Sequence, residues 1–227
     1  LFPTMPGGSS TSFTERCSIG PNGCPCGQPL YLVMGRNPMS SRNGFQATDL
    51  ALIAVFAALV AVLAVIPPMF MVGAVPFALQ MVAVMLAPMV LGSIRGGCAV
   101  SLYILVGALG LPVFSGGSSG IGVLVGPTGG YLWGWLIGAF VAGAVATSVL
   151  RRRPRKSMLP VWLFVVALVD LVCVYLGGIF GLMGFAKLSL NAALAANLVL
   201  FGLDVVKGIL ACLIATAVLT AFPRLMP

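Results

Sequence analysis

From Gly110 to Gly134 the chain reads GLPVFSGGSSGIGVLVGPTGGYLWG, a glycine-dense stretch with no charged residue, set between two long apolar runs. Each glycine inside a helix costs about 1 kcal/mol relative to alanine, and a proline costs about 3 kcal/mol. The stretch therefore predicts irregular backbone and not a membrane-crossing helix. Irregular backbone at membrane depth survives only where protein buries it or where it lines a polar cavity. This loop is accordingly the first candidate for a ligand site, with a plain connecting loop as the alternative.

The residues around it fix the class. Of the 227 residues, 60% are hydrophobic and 7% charged, and the mean hydropathy is +1.13. That is too little polar surface to coat a soluble globule of this length, so the chain reads as an all-α integral membrane protein. The net charge of +8 does not point to nucleic acid, because Arg151, Arg152, Arg153, Arg155 and Lys156 stand in one run that reads as a topology signal. There is no histidine, and the acids are Glu15, Asp49, Asp170 and Asp204. Most acid–base and metal chemistry lacks its usual side chains, which argues against an enzyme, a bound metal or a cofactor.

Residues 1–46 differ in kind from the rest. They are rich in proline, glycine and serine, hold no apolar run long enough to span a bilayer, and predict a disordered N-terminal extension. No signal-peptide pattern occurs there. A start at Met34 or Met39 would leave an ordinary short N-terminus, so the residues before Met34 read as an over-extended frame. Cys17, Cys24 and Cys26 match no paired zinc spacing, and Cys98, Cys173 and Cys212 read as small apolar fillers of helices.

Six apolar segments follow: Leu50 to Ile66 with Ala47 and Thr48 ahead of it, about Pro76 to Ile94 with a kink at Pro88, about Gly97 to Leu109, Gly130 to Leu150, Leu159 to about Phe180, and Ala192 to Ala221. They predict a six-transmembrane-helix domain over residues 47–222 and a short tail, 223–227. An even number of crossings puts both termini on one side. The basic run, Arg95 and Arg42 make that side cytoplasmic. Loop 111–130, the Pro67-Pro68 turn and the loop around Lys187 are then outside, Lys187 being a mild exception to the charge rule.

Several polar residues lie where lipid should have excluded them. Asp204 and Lys207 sit near the middle of the last segment, where each costs roughly 2.5 to 3.5 kcal/mol to insert. Three residues apart, they share a helix face, and Asn197, Phe201 and Asp204 follow helical spacing on an inward stripe. The pair is either a ligand anchor or an ion pair that holds the bundle together. As an anchor, Lys207 can meet a ligand carboxylate, and Asp204 can accept N–H groups or hold the lysine. Asp170 is a second buried acid, open to helix packing or ligand contact, and Gln80 can serve a ligand or bridge helices. At the end of the loop Thr128 can cap the next helix, and Gly129 and Gly130 let backbone N–H groups approach a ligand. That helix start adds a dipole that attracts anions. Val113, Phe114 and Tyr131 offer apolar walls. The phosphate-loop pattern, GxxxxGK followed by Ser or Thr, is absent, so the chain should not hydrolyse nucleotide by itself.

The loop sequence resembles the signature of the BioY family, biotin-specific S components of energy-coupling factor (ECF) vitamin transporters. The likeness extends through VPFALQMVAVMLAPMVLGSIRGG (Val75 to Gly97), YILVGALGLPVF (Tyr103 to Phe114) and FGLDVVKGILA (Phe201 to Ala211), and covers roughly residues 47–222. Where the family usually has Pro-Gly directly before the acid, this chain has Gly202-Leu203 before Asp204, which alters helix geometry near the site. The resemblance implies a six-helix membrane protein, not an enzyme, that captures biotin from outside. It also implies partners: a membrane coupling (T) subunit, two ATPase subunits that use the ATP, and the surrounding lipid, with no nucleic acid. Small residues spaced A-x-x-x-A on the first helix dock the coupling subunit in similar S components. Ala47/Ala51, Ala54/Ala58 and Ala57/Ala61 fit that spacing, with ordinary bundle packing as the alternative. The expected biotin site is Asp204 and Lys207 as polar anchors with Asn197, Gln80, Val113, Phe114, Thr128, Gly130 and Tyr131 around them. The other readings are an S component for a different vitamin, a self-sufficient secondary carrier and, weakest, a membrane enzyme.

Overall fold

The computed structural model describes residues 46–66, 71–72, 75–76, 79–152, 154–155 and 157–222. Its apolar runs form helices α1 (Ala47–Val65), α2 (Gln80–Ala108), α3 (Ile121–Leu124), α4 (Gly129–Arg151), α5 (Leu159–Gly184) and α6 (Leu190–Ala221). A two-residue hairpin that the sequence did not signal, β1 (Met71–Val72) antiparallel to β2 (Val75–Pro76), precedes α2. Among the described residues, five helices are long and apolar enough to cross a membrane: α1, α2, α4, α5 and the Leu200–Ala221 part of α6. The expected extension up to residue 45, its three cysteines, the Pro67-Pro68 turn, Arg153, Lys156 and the 223–227 tail lie outside the described residues.

The second and third expected segments both fall within α2, and the break between them is at Gly92 (φ 78, ψ −166), not at Pro88, which stays inside the helix. A chain reversal needs a positive φ, which glycine adopts at little cost; proline cannot adopt it. The reversal is complete. The Tyr103 hydroxyl reaches Gln80 Oε1 at 3.5 Å, whereas 23 residues of unbroken helix would separate them by about 35 Å. Gly96 lies against Pro88 and Ala87, so closely that a Cβ at 96 would meet Pro88 Cα at 2.8 Å. The arms 80–91 and 93–108 are therefore antiparallel.

Every residue from 80 to 90 is buried, which makes the first arm the centre of the bundle. Helix α2 packs on α1, α4 and α6. Helix α1 buries only one stripe, Ile53, Ala57, Val60 and Ala64, at three- and four-residue spacing. Its first turn is tied down: Asp49 accepts from the Gln46 N–H at 3.2 Å and pairs with Arg95 beyond the Gly92 break at 3.1 Å.

Helices α4 and α5 meet along a glycine seam. Gly130, Gly134 and Gly138 recur every fourth residue, so they form one ridge. A side chain at Gly130 would strike the Gly177 carbonyl and Gly181, one at Gly134 would lie 2.9 Å from Val174 Cα, and one at Gly138 would strike Asp170 Oδ1. The partners run 181, 177, 174, 170 as the ridge runs forward, so the helices are antiparallel. Small residues at this spacing let two helix backbones come into contact. In turn α5 is antiparallel to α6, with Cys212 Sγ on the Pro160 carbonyl at 3.0 Å near the start of α5 and Tyr175 against Asp204 further along.

The glycine loop is more ordered than expected. Between α2 and α4 it holds a 3-10 turn (Ser115–Gly117) and the single turn α3. Positive φ angles at Gly110, Gly116, Gly117 and Gly120 steer it through those turns.

Candidate functional site

Of the inward stripe expected on the last helix, Asn197 and Asp204 are sheltered but Phe201 is 42% exposed; α6 begins with a Ser189 cap whose hydroxyl accepts from Ala192 N–H at 3.4 Å. Asn197 and Asp204 are seven residues apart, hence two turns apart on one face, with Lys207 one turn further. Asn197 and Lys207 are buried, and the Asp204 side chain is 14% exposed. Groups this sheltered must have partners, and the structure supplies them from two neighbouring helices.

Tyr131, in the first turn of α4, donates its hydroxyl to Asn197 Oδ1 at 2.9 Å, while Asn197 Nδ2 donates to the Ala193 carbonyl at 2.7 Å. Tyr175 of α5 donates to Asp204 Oδ2 at 2.6 Å, and Lys207 Nζ donates to Asp204 Oδ1 at 2.7 Å. Each carboxylate oxygen thus receives one bond and keeps a lone pair for another. The two charges cancel, so the cluster is a neutral patch with a free acceptor edge beside a multi-donor ammonium.

Both tyrosines are held by their surroundings. The Tyr131 ring lies where a Cβ on Gly178 would be, so that glycine makes its slot. The Tyr175 ring packs on Phe201 with centroids 5.8 Å apart and planes at 58°. Tyr175 was not among the residues singled out from the sequence. A tyrosine in the middle of an apolar span carries a hydroxyl that must find a partner, and that was the available signal.

A second group gathers on α2 and the loop. Gln80 and Tyr103 face each other across the two arms at 3.5 Å, the limit of a hydrogen bond. Phe114, expected as a cavity wall, is 1% exposed. Its ring fills the place of a Cβ on Gly107 and meets Tyr103 edge-on at 5.7 Å. It is a plug that fastens the loop to α2. Val113 beside it is half-buried. Met85 Sδ lies 3.8 Å from where a Cβ on Gly208 would stand. Arm 80–91 runs in the same direction as α6, so Gln80, five residues before Met85, stands near the level of Asp204, four before Gly208.

Two expectations at the start of α4 change. Thr128 occupies the cap position, but its backbone is helical (φ −92, ψ −5) and its side chain makes no cap bond; a capping hydroxyl needs extended dihedrals to turn back on the helix. Gly130 is used up in the contact with α5. On α1, Ala47, Ala51, Ala54 and Ala58 are all exposed, whereas Ala57 faces the core. Lys187 is exposed in a positive-φ turn after α5. Asp170 is fully buried with neither oxygen partnered among the described residues. Those residues also hold no group of His, Cys, Asp and Glu arranged for a metal.

Comparison with known proteins gives a consistent picture. Residues 37–224 match the model of the BioY family. The biotin transporter BioY of Rhizobium etli is 36% identical over 180 residues, covering 78% of this chain and 96% of the relative. That of Rhodobacter capsulatus is 38% identical over 75% of this chain and 92% of the relative, and that of Thermotoga maritima 40% identical over 63% and 80%. Among solved structures, a 2.1 Å crystal structure of the S-component for biotin from an ECF-type ABC transporter superposes with a TM-score of 0.69 at 26% identity, over 77% of this chain and 94% of that one.

Proposed function

The chain belongs to the BioY family, and on that premise we propose that it is the biotin-specific S component of an ECF-type importer, a transport subunit and not an enzyme. The observation that carries the reading is the buried Tyr175–Asp204–Lys207 cluster, maintained in mid-membrane at a desolvation cost that packing alone does not require. The ureido ring of biotin is neutral, with N–H donors flanking a carbonyl acceptor. Asp204 suits the donors and Lys207 the acceptor. Because Asp204 already neutralises Lys207, the geometry favours the ureido head at this pair over the carboxylate that the sequence had suggested for Lys207. Asn197, Tyr131 and Gln80 supply further polar contacts, while Phe114 with Val113 beside it holds the loop on α2, and Thr128 and Gly130 form the start of α4 that presents Tyr131.

The fold-back at Gly92 supports counting α2 as two crossings, which gives six with both termini on one side. Arg95, Arg151, Arg152 and Arg155 at the ends that share that side support its being cytoplasmic. Loop 111–130 then faces outward, as capture from outside requires. The exposed stripe Ala47, Ala51, Ala54 and Ala58 supports docking of a membrane coupling subunit, which joins two ATPase subunits to the S component; lipid covers the remaining apolar faces. The chain itself needs no cofactor in this scheme. Titration of the purified protein with biotin, thiamine and riboflavin tests the ligand. Saturable binding of biotin alone is expected, and binding of all three alike, or of another vitamin in its place, would reject the assignment.

A further inference from the structure

Asp204 has a choice of geometries. A lysine three residues on along the same helix can engage one carboxylate oxygen or close on both, and a lysine closed on both sits on the edge between the oxygens and takes the inner lone pair of each, so that a ligand meets only the outer ones. In the structure the pair is open: Lys207 Nζ takes Oδ1 at 2.7 Å, and Oδ2 is held by the Tyr175 hydroxyl at 2.6 Å. Lys207 moves with α6. Among the described residues, the bond from Tyr175 is the one that ties Asp204 to a different helix.

We propose that Tyr175 is a positioning residue for ligand binding: it holds Oδ2 of Asp204 off Lys207 and so keeps the Asp204–Lys207 pair open to the cyclic urea of biotin. Three features support it. The bond is short and charge-assisted, the kind that fixes orientation as well as adding energy. The phenol cannot swing freely, because its ring is buried and packed on Phe201. The device is also repeated two turns away, where Tyr131 from α4 donates to Asn197 and fixes which face of that amide remains available. Tyrosines from two helices thus orient two polar groups on a third. The inference rests on the biotin reading above.

The test is a binding titration of wild type, Tyr175→Phe, Asp204→Asn and the double variant, each with biotin and with biotin methyl ester, which keeps the ureido ring and lacks the anionic carboxylate. Tyr175→Phe should weaken both ligands by a similar factor of roughly tenfold or more, the loss that accompanies a charge-assisted bond. On the Asp204→Asn background the same change should cost much less, because there is no ion pair left to hold open. A merely structural role would give the same loss on either background. A Tyr175→Phe protein that binds biotin as wild type does overturns the inference and leaves the biotin reading standing, as does a loss confined to the free acid. A wild type that binds no biotin overturns both. Isotope-edited infrared spectra of the wild type, with the band assigned by difference from Asp204→Asn, give an answer that does not depend on how Tyr175→Phe folds. An Asp204 carboxylate whose two oxygens are inequivalent is expected, and a symmetric band would overturn the proposal.

Discussion

Replacing Lys207 with methionine keeps an unbranched chain of similar bulk, one atom shorter, and removes the ammonium, which separates what the ion pair does for the fold from what it does for the ligand. Lys207 is 6% exposed, and its removal leaves a carboxylate at mid-helix with the Tyr175 hydroxyl as its bond from another side chain. Breaking a buried pair in this way costs about 3–5 kcal/mol, chiefly through the charge left behind. The Tyr175 bond moderates the loss, so the lower end of that range is expected. The double variant Asp204→Asn/Lys207→Met carries no stranded charge and should recover to within about 1 kcal/mol of wild type. Biotin affinity should not recover with it: both variants should bind at least about tenfold more weakly, since neither presents the carboxylate beside the ammonium. Thermal unfolding in detergent, paired with biotin titration, reads both quantities. If Lys207→Met is as stable as wild type, Asp204 does not depend on the lysine for its burial. If the double variant binds biotin at wild-type strength, the pair is a structural bridge and the ligand sits elsewhere.

Two further predictions concern the seam between α4 and α5. At Gly134 an added methyl would lie 2.9 Å from both Val174 Cα and the Val174 carbonyl. Backbone cannot yield as a side-chain tip can, so Gly134→Ala should force the helices apart, cost about 1–3 kcal/mol and weaken biotin binding in parallel; a thermal midpoint equal to wild type would show the seam to be looser than drawn. At the next step of the ridge, Gly138→Ala should destabilise by a similar amount, because the methyl meets Asp170 Oδ1. Shortening the opposing residue in Asp170→Ala/Gly138→Ala should return part of the loss, and the coupling is read from the melting midpoints of the four-member cycle. Strictly additive effects would mean that the two residues do not share the space.

The segments that become helices were legible because an apolar run of sufficient length has few alternatives in a bilayer. Their ends agree with expectation to within a few residues for α1, α4, α5 and α6. Other features were hidden because they depend on what lies across from a residue. Pro88 looked like the kink because proline lacks an N–H, but a reversal is decided by which residue can take a positive φ, and Gly92 does so. Phe114 looked like a wall because it sits in a loop. Nothing in its neighbourhood along the chain announced that Gly107, seven residues earlier, leaves room for its ring. Tyr175 was passed over because no charged neighbour in sequence marks it; its partner is on another helix.

The glycine stretch also changes meaning once its neighbours are known. Its flexibility shapes the loop, but its last residues begin a different pattern, Gly130-x-x-x-Gly134-x-x-x-Gly138, which continues into the membrane as the ridge of α4. That ridge lets α4 lie directly on α5. Two helices in such close contact can each present a tyrosine to the same face of α6, and Tyr131 and Tyr175 do so two turns apart, at Asn197 and Asp204. A bulkier seam would move the phenols off those partners by about as much as it parted the helices, and a hydrogen bond of 2.6 to 2.9 Å tolerates little of that. The small residues of α4 and α5 therefore govern the site without touching a ligand, and Gly134→Ala should reduce biotin affinity even though position 134 points only at another helix.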